Sequence, residues 1–262
     1  MLIAIPSYKR HETIQRKTLA LLRREGFAAA DITVFVADEE QKAVYEGYAD
    51  PSYRPAFVVG QLGIHRQRRF IEQYYPKGTE ILCFDDDVSA IKRPFQKGES
   101  LPSLFKKCFE IAKREECSLW GIYPSDHGLS LKNRAVKGLT YVIGACYGLI
   151  SRGPEDSLDY PDPFTEDFTR SVEYWRRGWG VLRFEGMGPT TRYFLEPGGL
   201  QTQRTVEGQT EQMERFVSTY SDVAVLRRRP AKMVDVRLRR ILEKTLEDPF
   251  TERRPTPEAL EE

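Results

Sequence analysis

The sequence predicts an α/β domain with a mostly parallel central sheet flanked by helices, and three observations carry that expectation. Four short apolar runs, Leu2–Ile5, Ile32–Val36, Ala56–Val59 and Ile81–Phe84, have the length and composition of buried strands. Stretches of helical character lie between them, the alternation expected of β-α-β units. The fourth run ends in three consecutive carboxylates, Asp85, Asp86 and Asp87, and acids at the carboxyl end of a parallel strand lie where open α/β sheets bind ligands.

Each element follows in order. Leu2–Ile5 stops at Pro6, and Ser7-Tyr8-Lys9-Arg10 forms the next loop. Thr13–Glu25 reads as an amphipathic helix with Ile14, Thr18, Leu21 and Leu22 on one side and Gly26 as its stop. Ile32–Val36 ends at Asp38-Glu39-Glu40, and Ala56–Val59 leads through Gly60 into a basic helix start, Gly63–Phe70. Beyond the carboxylates, Leu101, Leu104, Phe105, Cys108, Ile111 and Ala112 form a core-facing helical stripe. Leu119–Ile122, Gly138–Gly144 and Val181–Phe184 read as further strands, with polar loops at 125–137 and 150–163. Thr165 is placed to cap a helix whose apolar positions are Phe168, Val172, Trp175 and Trp179. From Arg204 the chain is expected to lose β character. Met213, Phe216, Val217 and Tyr220 suggest a last helix, followed by Arg227–Arg240 and an acidic tail. The division expected is 1–205 as one domain and 206–262 as a helical, basic extension.

With 262 residues, 40% of them hydrophobic, the chain can bury a substantial core. Its 40 basic and 39 acidic residues balance, so contact with a polyanion must come from local patches. Cys83, Cys108, Cys117 and Cys146 lack zinc or redox spacing, and three of them sit in apolar runs and read as small core residues, which fits a reducing compartment. No apolar run approaches a membrane span, no signal peptide is evident, and there is no phosphate-binding loop of the G-x-x-x-x-G-K-[ST] type. A cytoplasmic protein with no membrane partner is expected.

The carboxylate triplet repels itself unless a cation, a donor network or water offsets it. Magnesium commonly shares its shell between one or two carboxylates and substrate phosphates, which makes a metal–nucleotide site the sharp reading. A solvated acidic turn is the alternative. Later, Glu166 and Asp167 open a helix, where they either serve as a base or simply favour its positive end.

Four features in this order resemble the nucleotide-sugar glycosyltransferases of the GT-A, Rossmann-like fold. They are Ile5-Pro6-Ser7-Tyr8-Lys9-Arg10, Asp38-Glu39, Asp85-Asp86-Asp87 as a D-x-D motif, and Thr165-Glu166-Asp167-Phe168 followed by Arg176-Arg177-Gly178-Trp179. More narrowly, Ile5–Arg10, Gly63–Phe70, Phe84-Asp85-Asp86-Asp87-Val88 and Pro197-Gly198-Gly199-Leu200-Gln201 are similar to phage and TET-associated enzymes that glycosylate hydroxymethylated pyrimidines in DNA.

The resemblance implies a donor site at Pro6, Ser7, Tyr8, Arg10, Asp38, Glu39, Arg66, Arg69, Asp85 and Asp86, with Lys9 a further phosphate candidate. It implies Mn2+ or Mg2+ on Asp87 with Asp85, and a UDP-sugar, UDP-glucose or UDP-GlcNAc, as donor. Asp167, with Glu166 next, would be the base of an inverting transfer. Gly198, Gly199, Gln201 and Arg204 would meet the diphosphate or the acceptor, since no histidine follows His127 to complete a metal shell. The implied acceptor is a hydroxymethylpyrimidine in DNA, flipped from the stack, with Tyr123, Tyr147 and Tyr193 as candidate stacking rings. A phage origin would put the enzyme in a bacterial host. The alternatives are a glycan, lipid or small-molecule acceptor, a nucleotidyltransferase, and a non-catalytic DNA-binding module.

Overall fold

The computed structural model describes residues 1–191, 205–228 and 234–251. Its first half alternates as expected. β1 (Leu2–Pro6) leads into α1 (His11–Ile14), a π-helical turn (Gln15–Leu19) and α2 (Ala20–Arg24). β2 (Ile32–Val36) is followed by α3 (Glu39–Tyr48), a helix the sequence reading did not anticipate because its apolar face is short. β3 (Ala56–Val59), α4 (Ile64–Tyr74) and β4 (Glu80–Phe84) complete the parallel half, and β5 (Ala90–Lys92) follows the carboxylates.

The second half comprises α5 (Leu101–Arg114), β6 (Leu119–Ile122), β7 (Arg134–Leu139), β8 (Cys146–Ile150), α6 (Glu166–Arg176), β9 (Val181–Phe184) and β10 (Gly188–Thr190). The strand expected at Gly138–Gly144 lies earlier, as β7. Cys146–Ile150 forms β8, where Gly148 packs against the Trp120 indole; a Cβ there would stand 2.0 Å from the ring. Thr165 precedes α6 but makes no capping bond.

Nine strands form the main sheet, in the order β13-β7-β9-β6-β8-β4-β1-β2-β3, where β13 is Ile241–Glu247. β4, β1, β2 and β3 are mutually parallel, and only β7 and β8 run against the rest. Side-chain alternation divides the core between two faces. Ile3, Ile5, Leu82, Phe84 and Trp120 pack with Ile14, Leu21 and the α5 stripe. Ala4, Cys83, Tyr147 and Leu149 pack on the opposite face with Ile71 of α4 and Tyr174 of α6. All four cysteines are free and buried.

The expectation that β character ends after Arg204 is overturned. α7 (Val206–Thr219) is followed by β11 (Ala224–Arg228) and β12 (Val234–Leu238), which pair with each other, and β13 then joins the main sheet beside β7. These strands are charge-rich because only one face is covered. Met213, Phe216, Val236 and Leu238 bury Phe168 and Val172 of α6. Among the described residues no helix is long and apolar enough to cross a membrane.

Candidate active site

One cavity of about 1150 Å3 opens at the carboxyl ends of β1 and β4 and extends to the start of α6 and the C-terminal strands. The loop after β1 brings Pro6, Ser7, Tyr8 and Arg10 to its wall, and the loop after β4 brings Asp85, Asp86 and Asp87. The π-helical turn explains how that second loop is held. Thr18, buried on the turn, donates from Oγ1 to the Asp85 carbonyl (2.7 Å) and accepts from Val88 N (3.0 Å).

The three carboxylates are not equivalent. Asp86 is buried and fully engaged, accepting from Ser7 Oγ (2.6 Å) and Arg10 Nη1 (2.9 Å). Burial still keeps its carboxyl above the ordinary range despite Arg10 and Ser7. Arg10, expected to reach a phosphate, thus offsets the triplet's own charge. Asp87 accepts from Thr191 Oγ1 (2.9 Å), with Arg10 3.7 Å away. Burial first, then repulsion from Asp85 and Asp86, push its carboxyl up to about 6. Asp85 takes an ion pair from Arg68, Nη2 to Oδ1 at 2.6 Å, and is the most exposed of the three.

Arg68 and Arg170 connect this end of the cavity to the other. Arg68 also donates from Nη2 to the Gly144 carbonyl (3.0 Å), and its Nε stands 3.6 Å from Glu166 Oε1. Arg170, wholly buried, donates to Glu166 Oε2 at 2.9 Å. Both guanidiniums flank the buried Tyr147 ring, at 5.2 and 3.9 Å from its centroid. Glu166 is therefore the counter-ion of two arginines. Tyr147 is a core residue, not a stacking surface.

Asp167, beside it, lines the cavity and accepts from the Tyr141 hydroxyl. Burial, then the neighbouring Glu166 charge, push its carboxyl up to about 7 against the opposing effect of Tyr141. A carboxyl in this condition is poised to exchange a proton near neutral pH. Tyr141 is itself stacked on Phe168, 4.4 Å between centroids.

Five expected donor residues are not on the cavity wall, the exposed Lys9 among them. Asp38 caps α3 through Gln41 N (2.8 Å), and Glu39 is exposed in the first turn of that helix. Arg66 is likewise off the wall. Arg69 faces outward and pairs with Asp159, 2.9 Å away, because α4 turns Gln67 and Arg68 inward instead. Tyr123 does reach the wall. Gly198, Gly199, Gln201, Arg204 and Tyr193 lie outside the described residues. The sequence reading passed over Arg68, whose basic neighbours made it look like one more exposed charge. It offered the segment Arg227–Arg240 only as positive charge for a basic rim, its role not fixed, and Arg237, Arg239 and Arg240 line the cavity.

The residues fit a divalent cation of limited protein coordination. Among the described residues no group of three or more His, Cys, Asp or Glu side chains is set to hold a metal. Asp85 and Asp87 supply two hard carboxylates on the cavity wall, a number that suits a cation whose remaining ligands come from a substrate phosphate and water.

No family profile and no curated protein sequence matches the chain. Among solved structures it is similar to glucosyl-3-phosphoglycerate synthase from Mycobacterium tuberculosis in complex with Mn2+, UDP and phosphoglyceric acid, with 10% identity over 96% of this chain and 90% of that chain, at a TM-score of 0.49. TarS 1–349 from S. aureus has 14% identity and a TM-score of 0.48, over 72% of this chain and 59% of that one. The mannosyltransferase PcManGT from Pyrobaculum calidifontis, in complex with GDP-Man and Mn2+, has 11% identity and a TM-score of 0.37, over 57% of this chain and 44% of that one. Likenesses of this size carry no argument about chemistry, which rests on the residues of this cavity.

Proposed function

We propose that the protein is a metal-dependent glycosyltransferase of the GT-A type that moves a sugar from a nucleotide-sugar, a UDP-sugar by resemblance, to a hydroxyl. The observation that carries this reading is the joining of Asp85 to the start of α6 through one buried arginine, Arg68. A donor-side carboxylate pair and an acceptor-side carboxyl thereby share one cavity.

Mn2+ or Mg2+ on Asp85 and Asp87 would neutralise the charge that grows on the departing diphosphate. Pro6, Ser7 and Tyr8 would border the nucleotide. Asp167 would accept the proton of the attacking hydroxyl while Tyr141 holds its carboxylate in place. A base on the acceptor side implies inversion at the anomeric carbon. The acceptor follows from the narrower resemblance and is a hydroxymethylated pyrimidine in DNA, flipped into the cavity. The division into a domain of residues 1–205 and a C-terminal extension belongs to the same proposal, with the extension contributing the arginine-bearing wall.

The test is transfer itself. Purified protein with Mn2+ is offered UDP-glucose or UDP-N-acetylglucosamine, with duplex DNA containing 5-hydroxymethylcytosine or with no acceptor. A hexose-sized mass gain on the DNA, absent in Asp87→Ala and Asp167→Ala, supports donor, acceptor and both residue assignments. Donor hydrolysis without gain on the DNA sinks the acceptor alone, and a nucleotide-sized gain sinks sugar transfer.

A further inference from the structure

The far wall of the cavity holds a concentration of arginine that the donor chemistry does not use. Arg183, on β9, is only 8% exposed and lines the cavity. Its Nη2 donates to Glu185 Oε1 (2.6 Å) and its Nη1 to the Tyr141 carbonyl (3.2 Å). Its Nε is buried and has no hydrogen-bond partner. Glu185 also accepts from Arg134 Nε (2.6 Å) and from Arg240 Nη2 (2.8 Å), so one buried carboxylate faces three guanidiniums. Arg237 and Arg239 also line the cavity, as does Asp235.

Such a surplus of like charge is unfavourable until an anion offsets it. Guanidinium N–H donors suit the oxygens of a phosphate, and Arg183 Nε is such a donor left without a partner. The position is specific as well. Tyr141 accepts from Arg183 at its carbonyl and donates to Asp167 from its hydroxyl, so a single residue joins the arginine wall to the proposed base.

We infer that Arg183 and Arg240 form a subsite for a phosphate group of the acceptor, across Tyr141 from Asp167. In calling that group part of the acceptor, this rests on the proposed transfer reaction; the anion site itself does not. The phosphate is either a backbone phosphodiester of DNA or the phosphate of a smaller acceptor, and the two sources share the same recognition. The site fixes where the acceptor enters and leaves the carboxylate end of the cavity to the donor.

The experiment measures binding, not turnover. Inorganic phosphate is titrated into the full chain with saturating UDP and Mn2+ present, thermal unfolding being followed in wild type, Arg240→Gln and Arg183→Lys. Arg240 is the safer position, since its side chain is 41% exposed. Arg183→Lys keeps a positive charge beside Glu185 and removes the Nε donor. Phosphate should raise the wild-type midpoint, with apparent affinity falling about tenfold in each variant, the loss expected for a hydrogen bond to a charged group. A labelled duplex then distinguishes the sources. Duplex binding that phosphate displaces in wild type and that weakens in Arg240→Gln assigns the backbone; phosphate binding without duplex binding assigns a small phosphorylated acceptor. No phosphate effect on wild type, or an equal effect in Arg240→Gln, overturns the subsite. The titration is repeated without UDP, so that failure of UDP to bind counts against the donor reading while the comparison between variants still decides the arginine site.

Discussion

Arg68 Nη2 lies 2.6 Å from Asp85 Oδ1, inside a protein interior where Arg68 is 2% exposed. A carboxylate of the D-x-D motif is therefore oriented by a buried cation on α4, and the same cation reaches Glu166 at the start of α6. Burying charges in this way is tolerable only when they are mutually paired, and removing one partner strands the others.

Arg68→Leu should therefore destabilise the fold by about 3–5 kcal/mol, the loss typical of a broken buried pair. Urea unfolding of wild type and variant, read as a shift in midpoint, checks this. Gly144→Ala should act in the same direction but more weakly, because its Cβ would stand 3.1 Å from Arg68 Nη2 and 3.2 Å from Glu166 Oε1. Two unfolding curves that superimpose with wild type would remove the network from any account of stability.

The proton-accepting assignment predicts an acid limb in the rate. With its carboxyl pushed up to about 7, Asp167 is protonated below that pH, and transfer should fall about tenfold for each unit of further acidification. Tyr141→Phe removes a hydrogen bond that lowers the Asp167 value, so the limb should move to higher pH. Asp167→Asn should lower kcat by ~10²–10⁴-fold. A pH–rate profile of the three proteins is the measurement, and an unshifted limb in Tyr141→Phe would count against Asp167.

Cation binding should depend on pH through Asp87. Its carboxyl is pushed up to about 6, so binding of Mn2+ must displace a proton below that value, and affinity should rise as pH increases from 5 to 7. Calorimetry at several pH values should show this, together with weakening of at least about tenfold in Asp87→Asn. A chelator should abolish transfer, and excess Mn2+ should restore it.

Glu72 gives a pH dependence of stability outside the cavity. Burial pushes its carboxyl up to about 7, and the hydrogen bonds from the Tyr160 hydroxyl and Leu158 N only partly oppose that shift. Below the ordinary value of 4.5 both folded and unfolded states are protonated. As pH rises through about 7 the folded state must hold the charge in its interior, and up to about 3 kcal/mol of stability is lost. Glu72→Gln should flatten the stability curve between those limits, as denaturant midpoints across pH would record.

Packing predicts one further loss. Gly148→Ala would drive a methyl to 2.0 Å from the ring of Trp120, its register partner on the paired strand β6. A cost of about 1–3 kcal/mol is expected from overpacking, with a matching fall in urea midpoint.

Several features were legible from local pattern alone because a single periodicity or end signal specifies them. The strands β1, β2, β4 and β6 are continuous apolar runs, as strands buried on both faces must be, and β3 and β9 are short and mainly apolar. The α5 stripe and the carboxylates ending β4 also stood out. β11–β13 did not, since a sheet with one face exposed carries arginine, lysine and glutamate at alternate positions and resembles a polar tail. α3 was missed for the same kind of reason, only Tyr45 of its residues being deeply buried.

The sequence by itself determined that Asp85, Asp87 and Asp167 end or begin elements of an α/β sheet, because strand ends and helix starts are written in neighbouring residues. Only the tertiary structure decided which charges serve chemistry and which serve the fold. Glu166 and Asp167 are adjacent and alike in sequence, yet one is held by Arg68 and Arg170 and the other faces the cavity beside Tyr141. Arg68 and Arg69 are adjacent too, one buried beneath the carboxylates and one paired with Asp159 at the surface. A helix turns about 100° per residue, so neighbours in sequence point in different directions, and what each meets is set by elements far away along the chain.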